Sequence, residues 1–536
     1  MTGEPWFTPG VPLVLDAKGR GAEVEPGELA LVQPGKGRAR VLEIVGSAKR
    51  IENVLEALLL ETGARQPFEP YSAPVPSREG RVDLRDLLAF TIDPETAKDF
   101  DDALSFRREA DGIRAWVHIA DVSYFVEAGT PLDRGAAARA FSTYVPGLVA
   151  PMLPHELADD LCSLRPDVDR LTVTVEFPPG GGEPELYRSV IRSRARLTYG
   201  EAQRGEAGPE VQAALALAEE YSARLRRERF ARGALRIETG ETQFAFDGRG
   251  GVARAYRESE PESHALVEEL MIAANEAVAR LLASRRREAL YRVHERPDPQ
   301  AISLLLAKLA DLGVPTPPAP ERIDPADAAR LAGAISDRVA AYAEQSGRGR
   351  EAFPSLVLRS LKQARYDPAN LGHAGLASRA YCHFTSPIRR YPDLVVHRAL
   401  LQELGQGTDP VPEDLAGLAE HTSLREREAA KTEYLADEIC LAWLLDRELF
   451  ERGWEERFDG EIVGLIGSGL FVRFGEVFEG FLPARRLPGE YFELNALGTA
   501  MRGRRSGRAY RLGDPIEVRV EKLDRQDGKV ELAPGG

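Results

Sequence analysis

The N-terminal part of the chain contains two different hydrophobic periods, followed by a stretch with none. Apolar residues alternate in LALVQPGKGRARVLEIVG, which predicts two short strands joined by a Pro-Gly turn. They recur at helical spacing from Ile51 to Leu59, so we expect a helix that ends at Gly63. The proline-rich QPFEPYSAPVPSREG that follows predicts a linker. Residues 1–78 are therefore expected to form a small α+β module with its linker, and a winged-helix-like arrangement is one candidate.

From about residue 79 to residue 453, strand-like and helix-like patterns alternate without a repeat. The segment AWVHIADVSYFV (115–126) alternates like a strand. Two long helices are predicted at 262–286 and 424–450, and the proline-rich segment 313–325 predicts a loop between them. We expect a central mixed α/β domain here.

The last part of the chain changes to short alternating strands separated by glycine turns, in FDGEIVGLIGSGLFVRFGEVFEGFLPARRL and LGDPIEVRVEKLDRQDGKVELA. That spacing is typical of a small closed β-barrel of the OB type, which we expect over residues 454–536. A chain of 536 residues is too long for one ordinary domain. The predicted fold class is a multidomain α+β protein.

Composition is typical of soluble globular proteins, with 43% apolar and 29% charged residues. No apolar run approaches the roughly 20 residues that span a bilayer, and the start MTGEPWFTPGVPLVLD lacks the regions of a secretory signal. Cys162, Cys382 and Cys440 have no paired spacing, which argues against a disulfide framework and a zinc site. We therefore expect a cytoplasmic protein with reduced thiols and no membrane association.

The net charge of −15 at first argues against a nucleic-acid partner, since phosphate binding needs a positive surface. Net charge nevertheless says little about a local groove. Arginines cluster in MRGRRSGRAYR (501–511) and SPIRRY (386–391), so a basic channel within an acidic surface stays open as an interpretation.

Four aspartates crowd the segment AFTIDPETAKDFDDALSF: Asp93, Asp99, Asp101 and Asp102. Two carboxylates about 4 Å apart repel by roughly 4 kcal/mol at an effective dielectric near 20, so clustering costs stability unless a cation offsets it. Aspartate oxygens suit magnesium or manganese. Two such ions about 3.5–4 Å apart would stabilise both the attacking and the leaving oxygen of a phosphoryl displacement. The alternative is a solvated acidic turn.

In HFTSPIRRYPDLVVHRALL, Thr385 or Ser386 stands where a helix N-cap is expected, with Pro387 at the first helical position. Arg389 and Arg390 would then lie in the first turn, where the positive end of the helix dipole disfavours cations. A bound phosphate would reverse that effect through free N–H groups and a guanidinium. The alternative is that each arginine pairs with a nearby carboxylate.

Aromatic residues are candidates for base stacking, which contributes about 1–3 kcal/mol per base. Tyr144 lies in the turn-rich FSTYVPGLVAPMLP, and Tyr199 ends the basic strand RARLTYGEA. Each alone could equally be a packing tyrosine. In the C-terminal barrel Phe471 and Phe474 lie among arginines, which favours a surface for single strands, with core packing as the alternative.

The segments TIDPETAKDFDDALS and HFTSPIRRYPDLVVHRAL resemble the two best-marked motifs of the ribonuclease II / ribonuclease R family of exoribonucleases. The similarity continues through VHIADVSYFVEAGTPLD, VEELMIAANEAVARLL and YRVHERPDP, and it spans residues 84–449. GEIVGLIGSGLFVRFG, EGFLPARRL and LGDPIEVRVEKLD resemble an OB-fold of the ribosomal S1 type. The resemblance implies an RNB catalytic domain (79–453) that degrades single-stranded RNA hydrolytically and processively, 3′ to 5′, to 5′-mononucleotides.

Matched motif by motif, the resemblance also implies roles for particular residues. The catalytic carboxylates that bind magnesium, with manganese as an alternative ion, are Asp93, Asp99, Asp101 and Asp102. Arg389 is implied to grip the scissile phosphate and Tyr144 to stack on the terminal nucleotide. The further RNA contacts expected in the catalytic region and the barrel are Tyr199, Arg390, Glu433, Phe471 and Phe474.

The N-terminal module departs from the family pattern, because it is too short for the two cold-shock-type OB-folds that members often carry. It is expected to bind RNA, but the handling of duplexes stays open. Two rivals remain: a catalytically silent RNA-binding protein of the same fold, and a metal-dependent DNA nuclease or phosphatase. The four aspartates with Arg389 disfavour the first, and the barrel with the family motifs disfavours the second. We expect a monomer that acts in RNA turnover.

Overall fold

The N-terminal part of the chain forms a β-hairpin and a helix. The structure is a computed structural model that describes residues 2–7, 10–16, 23–236, 240–258 and 262–536. Its first elements are β1 (Thr2–Gly3), β2 (Leu13–Val14), β3 (Glu28–Pro34), β4 (Ala39–Ser47) and α1 (Ile51–Glu61). Strands β3 and β4 pair antiparallel on either side of the predicted turn, and α1 has the predicted bounds within two residues.

Helix α1 packs against parts of the chain that are distant in sequence. Ile51, Val54 and Leu55 share one buried apolar cluster with Ile439 and Phe458, which lie near the C-terminus. The N-terminal module and the C-terminal barrel therefore meet in one core.

The central region combines short and long strands with helices. Its strands are β5 (Val82–Asp83), β6 (Ala89–Asp93), β7 (Asp102–Glu109), β8 (Gly112–Ala120), β9 (Thr143–Val145), β10 (Leu148–Ala150), β11 (Asp169–Phe177), β12 (Glu185–Thr198), β13 (Glu241–Phe246), β14 (Val252–Glu258), β15 (Tyr291–Val293) and β16 (Arg365–Asp367). Its helices are α2 (Pro131–Arg139), α3 (Tyr199–Arg204), α4 (Pro209–Ala231), α5 (Glu262–Ser284), α6 (Pro299–Asp311), α7 (Pro325–Ser346), α8 (Ala352–Ser360), α9 (Tyr391–Glu403) and α10 (Leu415–Arg452).

Five of these strands close on themselves in the order β11-β8-β7-β6-β12, because β12 pairs with β6 at one end and with β11 at the other. The β6–β12 pair is parallel and the others are antiparallel. Side chains such as Phe90, Leu104, Val117 and Val173 fill the core, with residues of α4 and α5 in the same cluster. The end of β6 and the start of β7 consequently lie at the same edge of the sheet.

Three predicted elements differ from the structure. The strand predicted at 115–126 is β8, which ends at Ala120. The last residues of β8 are buried on both faces, because helices cover the outside of the closed sheet. The last long helix is α10, which begins at Leu415 rather than 424. Helix α9 begins at Tyr391 instead of Pro387, with Pro392 in its first turn, so the predicted helix start was wrong by four residues.

The C-terminal region confirms the predicted barrel. Its strands are β17 (Arg457–Ile466), β18 (Gly469–Phe474), β19 (Phe478–Pro483), β20 (Phe492–Leu494), β21 (Ala500–Gly503), β22 (Ala509–Arg511), β23 (Pro515–Asp524) and β24 (Lys529–Pro534). The barrel closes in the order β17-β18-β19-β24-β23, while β20, β21 and β22 form a separate small sheet inserted between β19 and β23. Among the described residues, no helix combines the length and apolarity that a bilayer crossing requires.

Candidate active site

The acidic loop connects two strands at one edge of the central barrel. Strand β6 ends at Asp93, opposite Thr198 of β12, and β7 begins at Asp102, opposite Ile119 of β8. All five residues of β6 (AFTID) are buried, including the polar Thr91 and Asp93. The next residue, Pro94, has no N–H to continue the ladder. The chain leaves the sheet there and returns to the same edge, which brings the first and the last aspartate together.

Arg196 and Ser163 hold the loop in place. Arg196 of β12 donates from Nη2 to two backbone carbonyls at the start of the loop, at 2.5 and 2.9 Å. Ser163 Oγ accepts the N–H of Phe100 at 3.1 Å and donates to the carbonyl of Lys98 at 2.7 Å. Sequence reasoning missed both residues. The basic strand RARLTYGEA was a signal for Arg196, whereas Ser163 carried none.

Asp101 joins the acidic loop to the arginine motif, 287 residues later in the chain. Its Oδ1 accepts the backbone N–H of Ile388 at 2.9 Å. Its Oδ2 lies 3.3 Å from Nε of Arg389, whose side chain is 48% exposed while that of Asp101 is 3% exposed. Arg389 also donates from Nη2 to Ser386 Oγ at 3.2 Å. A half-exposed guanidinium is thus fixed beside a buried carboxylate.

Arg390 has a different role from its neighbour. It donates from Nε and Nη2 to the two carboxylate oxygens of Asp393, at 2.9 and 2.8 Å, and Asp393 is fully buried. Asp393 also accepts the N–H of Ser386 at 2.8 Å, which shapes the turn that presents Arg389. Nε and Nη2 of Arg390 are occupied by this buried carboxylate, and an RNA contact of Arg390 stays a prediction. The pairing alternative holds for this arginine.

Tyr144 and Glu433 come together over the aspartates. The Tyr144 hydroxyl donates to Asp99 Oδ2 at 2.6 Å, and the Tyr144 N–H donates to Glu433 Oε1 of α10 at 2.8 Å. The strand that carries Tyr144 is held to the arginine motif, because the N–H of Ser142 donates to the carbonyl of Arg389 at 3.0 Å. Tyr144 is 37% exposed, so part of the residue is accessible to a ligand.

Burial raises the pKa of three of the four aspartates. The pKa of Asp93 rises to about 6, mainly through burial, and the charge of Asp99 adds to the rise. Burial and the nearby charge of Asp93 raise the pKa of Asp102 to about 7. Burial also raises the pKa of Asp101 well above its ordinary value, although the charge of Arg389 opposes this. Burial therefore disfavours the charged forms of these carboxylates, and a cation beside them would restore those forms.

The residues fit a hard divalent cation. Oδ2 of Asp93 is buried without a hydrogen-bond donor, and Oδ2 of Asp101 is buried with only the ion pair to Arg389 Nε. Over the described ranges, no three His, Cys, Asp or Glu side chains lie close enough to hold an ion by themselves. A magnesium ion typically takes one or two protein carboxylates and completes its shell with water and substrate phosphate. These two carboxylate oxygens are ligands of that kind.

The remaining predicted contacts are Tyr199, at the start of α3, and Phe471 and Phe474, on β18. Tyr199 follows Thr198 at the edge of the sheet, and its ring packs 5.1 Å from that of His264. Phe471 is half-buried on β18, with its ring 5.2 Å from that of Phe481. Phe474 is 1% exposed and lies in the barrel core. The prediction that Phe474 contacts RNA is wrong in this structure, because its position in the pleat points the ring inward.

Comparisons with protein families cover most of the chain. The RNB domain family matches residues 81–406, and the S1 RNA binding domain family matches residues 454–533. Ribonuclease R of Escherichia coli (strain K12) is 37% identical over 488 residues, which are 86% of this chain and 58% of that protein. Ribonuclease R of Aquifex aeolicus (strain VF5) is 36% identical over 523 residues, covering 92% of this chain and 72% of that protein. The chain thus spans a little over half of the E. coli relative.

Solved structures of the same fold include Mycoplasma genitalium RNase R in complex with ribose methylated single-stranded RNA, with a TM-score of 0.83 and 26% identity over 93% of this chain and 80% of that one. The fold is also that of yeast Ssd1, described as a pseudonuclease, with a TM-score of 0.65 and 17% identity over 88% of this chain and 61% of that one. The RNB match extends over more than half of the chain, and the Aquifex relative is matched over most of its length. This chain belongs to the ribonuclease R family.

Proposed function

We propose that this chain is a hydrolytic, processive 3′-to-5′ exoribonuclease that degrades single-stranded RNA to 5′-mononucleotides and serves RNA turnover. The observation that carries the proposal is the contact of Asp101 with Ile388 and Arg389, at 2.9 and 3.3 Å. An accessible guanidinium and carboxylates suited to a divalent cation together recognise a phosphodiester. The family relationship supports RNA as the source of that phosphodiester.

Arg389 is proposed to bind the non-bridging oxygens of the scissile phosphate. Its guanidinium is half-exposed, and its position is fixed by Asp101 and Ser386. A prearranged cation of this kind stabilises the charge that develops on the phosphoryl oxygens during displacement. In the reaction the oxygen of a water molecule bonds to phosphorus and the bond from phosphorus to the 3′-oxygen of the preceding nucleotide breaks, which releases a 5′-mononucleotide.

Asp93, Asp99, Asp101 and Asp102 are proposed to hold magnesium, with manganese as the alternative. When bound, such an ion lowers the pKa of water and offsets the negative charge of the phosphate. Burial of three of these carboxylates and the buried Asp93 Oδ2, which has no hydrogen-bond donor, support this proposal.

Tyr144 is proposed to stack on the 3′-terminal base. Its backbone N–H is fixed by Glu433 and its hydroxyl by Asp99, so the ring lies directly beside the proposed metal ligands. A terminal nucleotide held by this ring would leave the adjoining phosphodiester near Arg389. Tyr199 and Phe471 are proposed as further RNA contacts, and Glu433 as a residue that orients Tyr144.

A catalytically silent RNA-binding protein is the second candidate, since the fold also occurs in a protein described as a pseudonuclease. The fold alone does not decide between the two. The presence of all four aspartates and Arg389 in one constellation favours the enzyme.

The test is incubation with magnesium of single-stranded RNA labelled at its 5′ end. We expect full-length RNA to be converted directly into a short 5′-labelled end product with few intermediates, as a processive enzyme requires, with release of 5′-mononucleotides and no reaction in EDTA. Asp101→Asn is the matched variant, because its amide oxygen can still accept the Ile388 N–H; it should bind RNA without hydrolysing it. RNA that stays intact with wild-type protein and magnesium would favour the silent candidate, and equal hydrolysis of DNA would contradict RNA specificity.

We also propose the division into residues 1–78, 79–453 and 454–536 as module, catalytic domain and barrel, and a monomeric, cytoplasmic protein. Cys162, Cys382 and Cys440 are buried and unpaired, which suits a reducing compartment.

A further inference from the structure

The segment just before Arg389 is buried but irregular. Residues 381–386 belong to no helix or strand, yet Phe384 among them is fully buried. A buried backbone N–H and C=O need hydrogen-bond partners, and here no helix or sheet ladder supplies them. For Phe384 both partners are side chains, and they come from two different helices.

Asn275 of α5 holds the N–H side of Phe384. Its Oδ1 accepts the Phe384 N–H at 2.8 Å. Its Nδ2 donates to the hydroxyl of Tyr381 at 3.1 Å and lies 3.5 Å from Oγ1 of Thr385. The side-chain amide of Asn275, which is only 2% exposed, therefore contacts residues before, at and after Phe384.

His397 of α9 holds the carbonyl side of Phe384. Its Nε2 donates to the Phe384 carbonyl at 2.8 Å, and the two rings stack with their centres 4.2 Å apart. Burial lowers the pKa of His397, so the ring is neutral and carries its proton on Nε2. Its Nδ1 is buried and has no hydrogen-bond partner among the described residues. Asn275 and His397 are named here the Phe384 clamp.

The clamped residue leads directly into the turn that presents Arg389. Ser386 follows Phe384 by two residues, and its carbonyl accepts the N–H groups of Arg389 and Arg390 at 3.3 and 3.0 Å. Its Oγ accepts from Nη2 of Arg389 at 3.2 Å. Ser386 thus holds both the backbone and the guanidinium of Arg389, and a displacement of Phe384 would move this turn. A misplacement of about 1 Å at a reacting centre can cost on the order of 100-fold in rate.

We propose that Asn275 and His397 are positioning residues that keep Arg389 aligned with the scissile phosphate. The inference rests on the proposed function for the role of Arg389. Both side chains are buried, at 2% and 0% exposure, so each acts through the backbone of Phe384. Because Arg389 stabilises charge that develops in the transition state, loss of the Phe384 clamp should lower kcat and leave KM nearly unchanged.

Two variants test the Phe384 clamp, and a third is the matched control. Asn275→Ala removes the amide that accepts the Phe384 N–H. His397→Phe keeps a flat ring against Phe384, loses the hydrogen bond to its carbonyl and removes the unpaired Nδ1, so this variant is expected to fold. The control is Ser189→Ala on β12, a fully buried side chain whose hydroxyl contacts two hydroxyls of β11 at 2.6 Å each, within the closed sheet.

The first measurement is a double-mutant cycle on the hydrolysis of single-stranded RNA with magnesium. Each clamp variant should lower kcat by about 10- to 100-fold and keep KM within about twofold, whereas Ser189→Ala should match wild type in both. In the Arg389→Ala background the same clamp variants should cost less than about threefold, because the residue that they position is gone. Equal losses of kcat with and without Arg389 would overturn the inference.

The second measurement is backbone hydrogen exchange of the free protein, which requires neither metal nor hydrolysis. All four N–H groups of residues 386–390 are hydrogen-bonded, so both clamp variants should exchange faster in peptides that cover these residues, on the order of tenfold, and Ser189→Ala should not. Unchanged exchange there in His397→Phe would overturn the inference even if the wild type hydrolyses RNA. A wild type that fails to hydrolyse RNA, with faster exchange in the clamp variants, would overturn only the exonuclease.

Discussion

Arg389 and Arg390 are adjacent, yet we expect substitution of Arg390 to reduce stability and substitution of Arg389 to reduce RNA hydrolysis. Arg390→Ala leaves the fully buried Asp393 without its bidentate partner, and an uncompensated buried charge costs about 3–5 kcal/mol of folding free energy. Arg389 is 48% exposed and lies 3.3 Å from Asp101. Asp101 is buried, but it keeps the Ile388 N–H, and burial raises its pKa well above the ordinary value, so it can take up a proton when the guanidinium is removed and the loss of stability should be smaller. Arg390→Ala should therefore damage the fold, and Arg389→Ala the chemistry.

Thermal unfolding and RNA hydrolysis, measured on the same preparations, separate these effects. At an unfolding entropy of about 2.1 cal/mol/K per residue, one kcal/mol shifts Tm by about 1 °C in a domain of the proposed length, residues 79–453, so Arg390→Ala should lower Tm by about 4–6 °C. Arg389→Ala should keep nearly the wild-type Tm and lose about 100- to 1000-fold in rate, as when one prearranged donor to a transition state is removed. Arg390→Lys is the matched control, because it keeps the charge but cannot make both hydrogen bonds. It should unfold between the wild type and Arg390→Ala.

One result would refute this reasoning directly. If Arg390→Ala kept the wild-type Tm and lost hydrolysis, the pairing with Asp393 would be dispensable and Arg390 would belong to the RNA site. An Arg389→Ala protein that unfolded as early as Arg390→Ala would likewise contradict the assignment of Arg389 to catalysis.

Three further predictions concern other parts of the molecule. Tyr144→Ala should change the length of the final undegraded RNA fragment on a sequencing gel, because the ring that stacks on the terminal base is lost. Tyr144→Phe keeps the ring, loses only the hydroxyl contact to Asp99, and should give the wild-type fragment. An unaltered fragment from Tyr144→Ala would argue that the ring only packs. Burial lowers the pKa of His118 from 6.5 to about 3, so stability should fall as the pH drops from 6.5 towards 3, because the unfolded chain takes up a proton that the folded barrel refuses. His118→Gln should flatten that part of the plot of Tm against pH, and an unchanged slope would contradict the assignment. Phe474→Ala should lower the free energy of unfolding by about 3–5 kcal/mol, measured by urea unfolding, because it leaves a cavity in the barrel core. Phe471 is half-buried, so Phe471→Ala should lower that free energy clearly less. Equal losses from the two variants would contradict the inward position of Phe474.

Local patterns predicted the elements well where one period dominates. Helix α1, helix α5 and the C-terminal barrel follow from apolar spacing and glycine turns that act within a few residues. The start of α9 was not predictable in the same way. Pro387 satisfies the rule for a first helical position as well as Pro392 does, and the choice depends on Asp393 accepting the Ser386 N–H in a buried position.

The sequence by itself determined that four carboxylates crowd one loop between strands, that an arginine pair follows a Ser-Pro turn, and that a small barrel closes the chain. These features depend on charge repulsion and short-range periodicity, which act along the chain. Only the tertiary structure decided that Asp101 meets Arg389, that Arg390 is a structural partner of Asp393, and that Phe474 points inward while Phe471 lies nearer the surface. The physical reason is that the role of a charged side chain depends on its ion-pair partners, and the role of an aromatic side chain depends on its burial. Both are set by parts of the chain that lie far away in sequence.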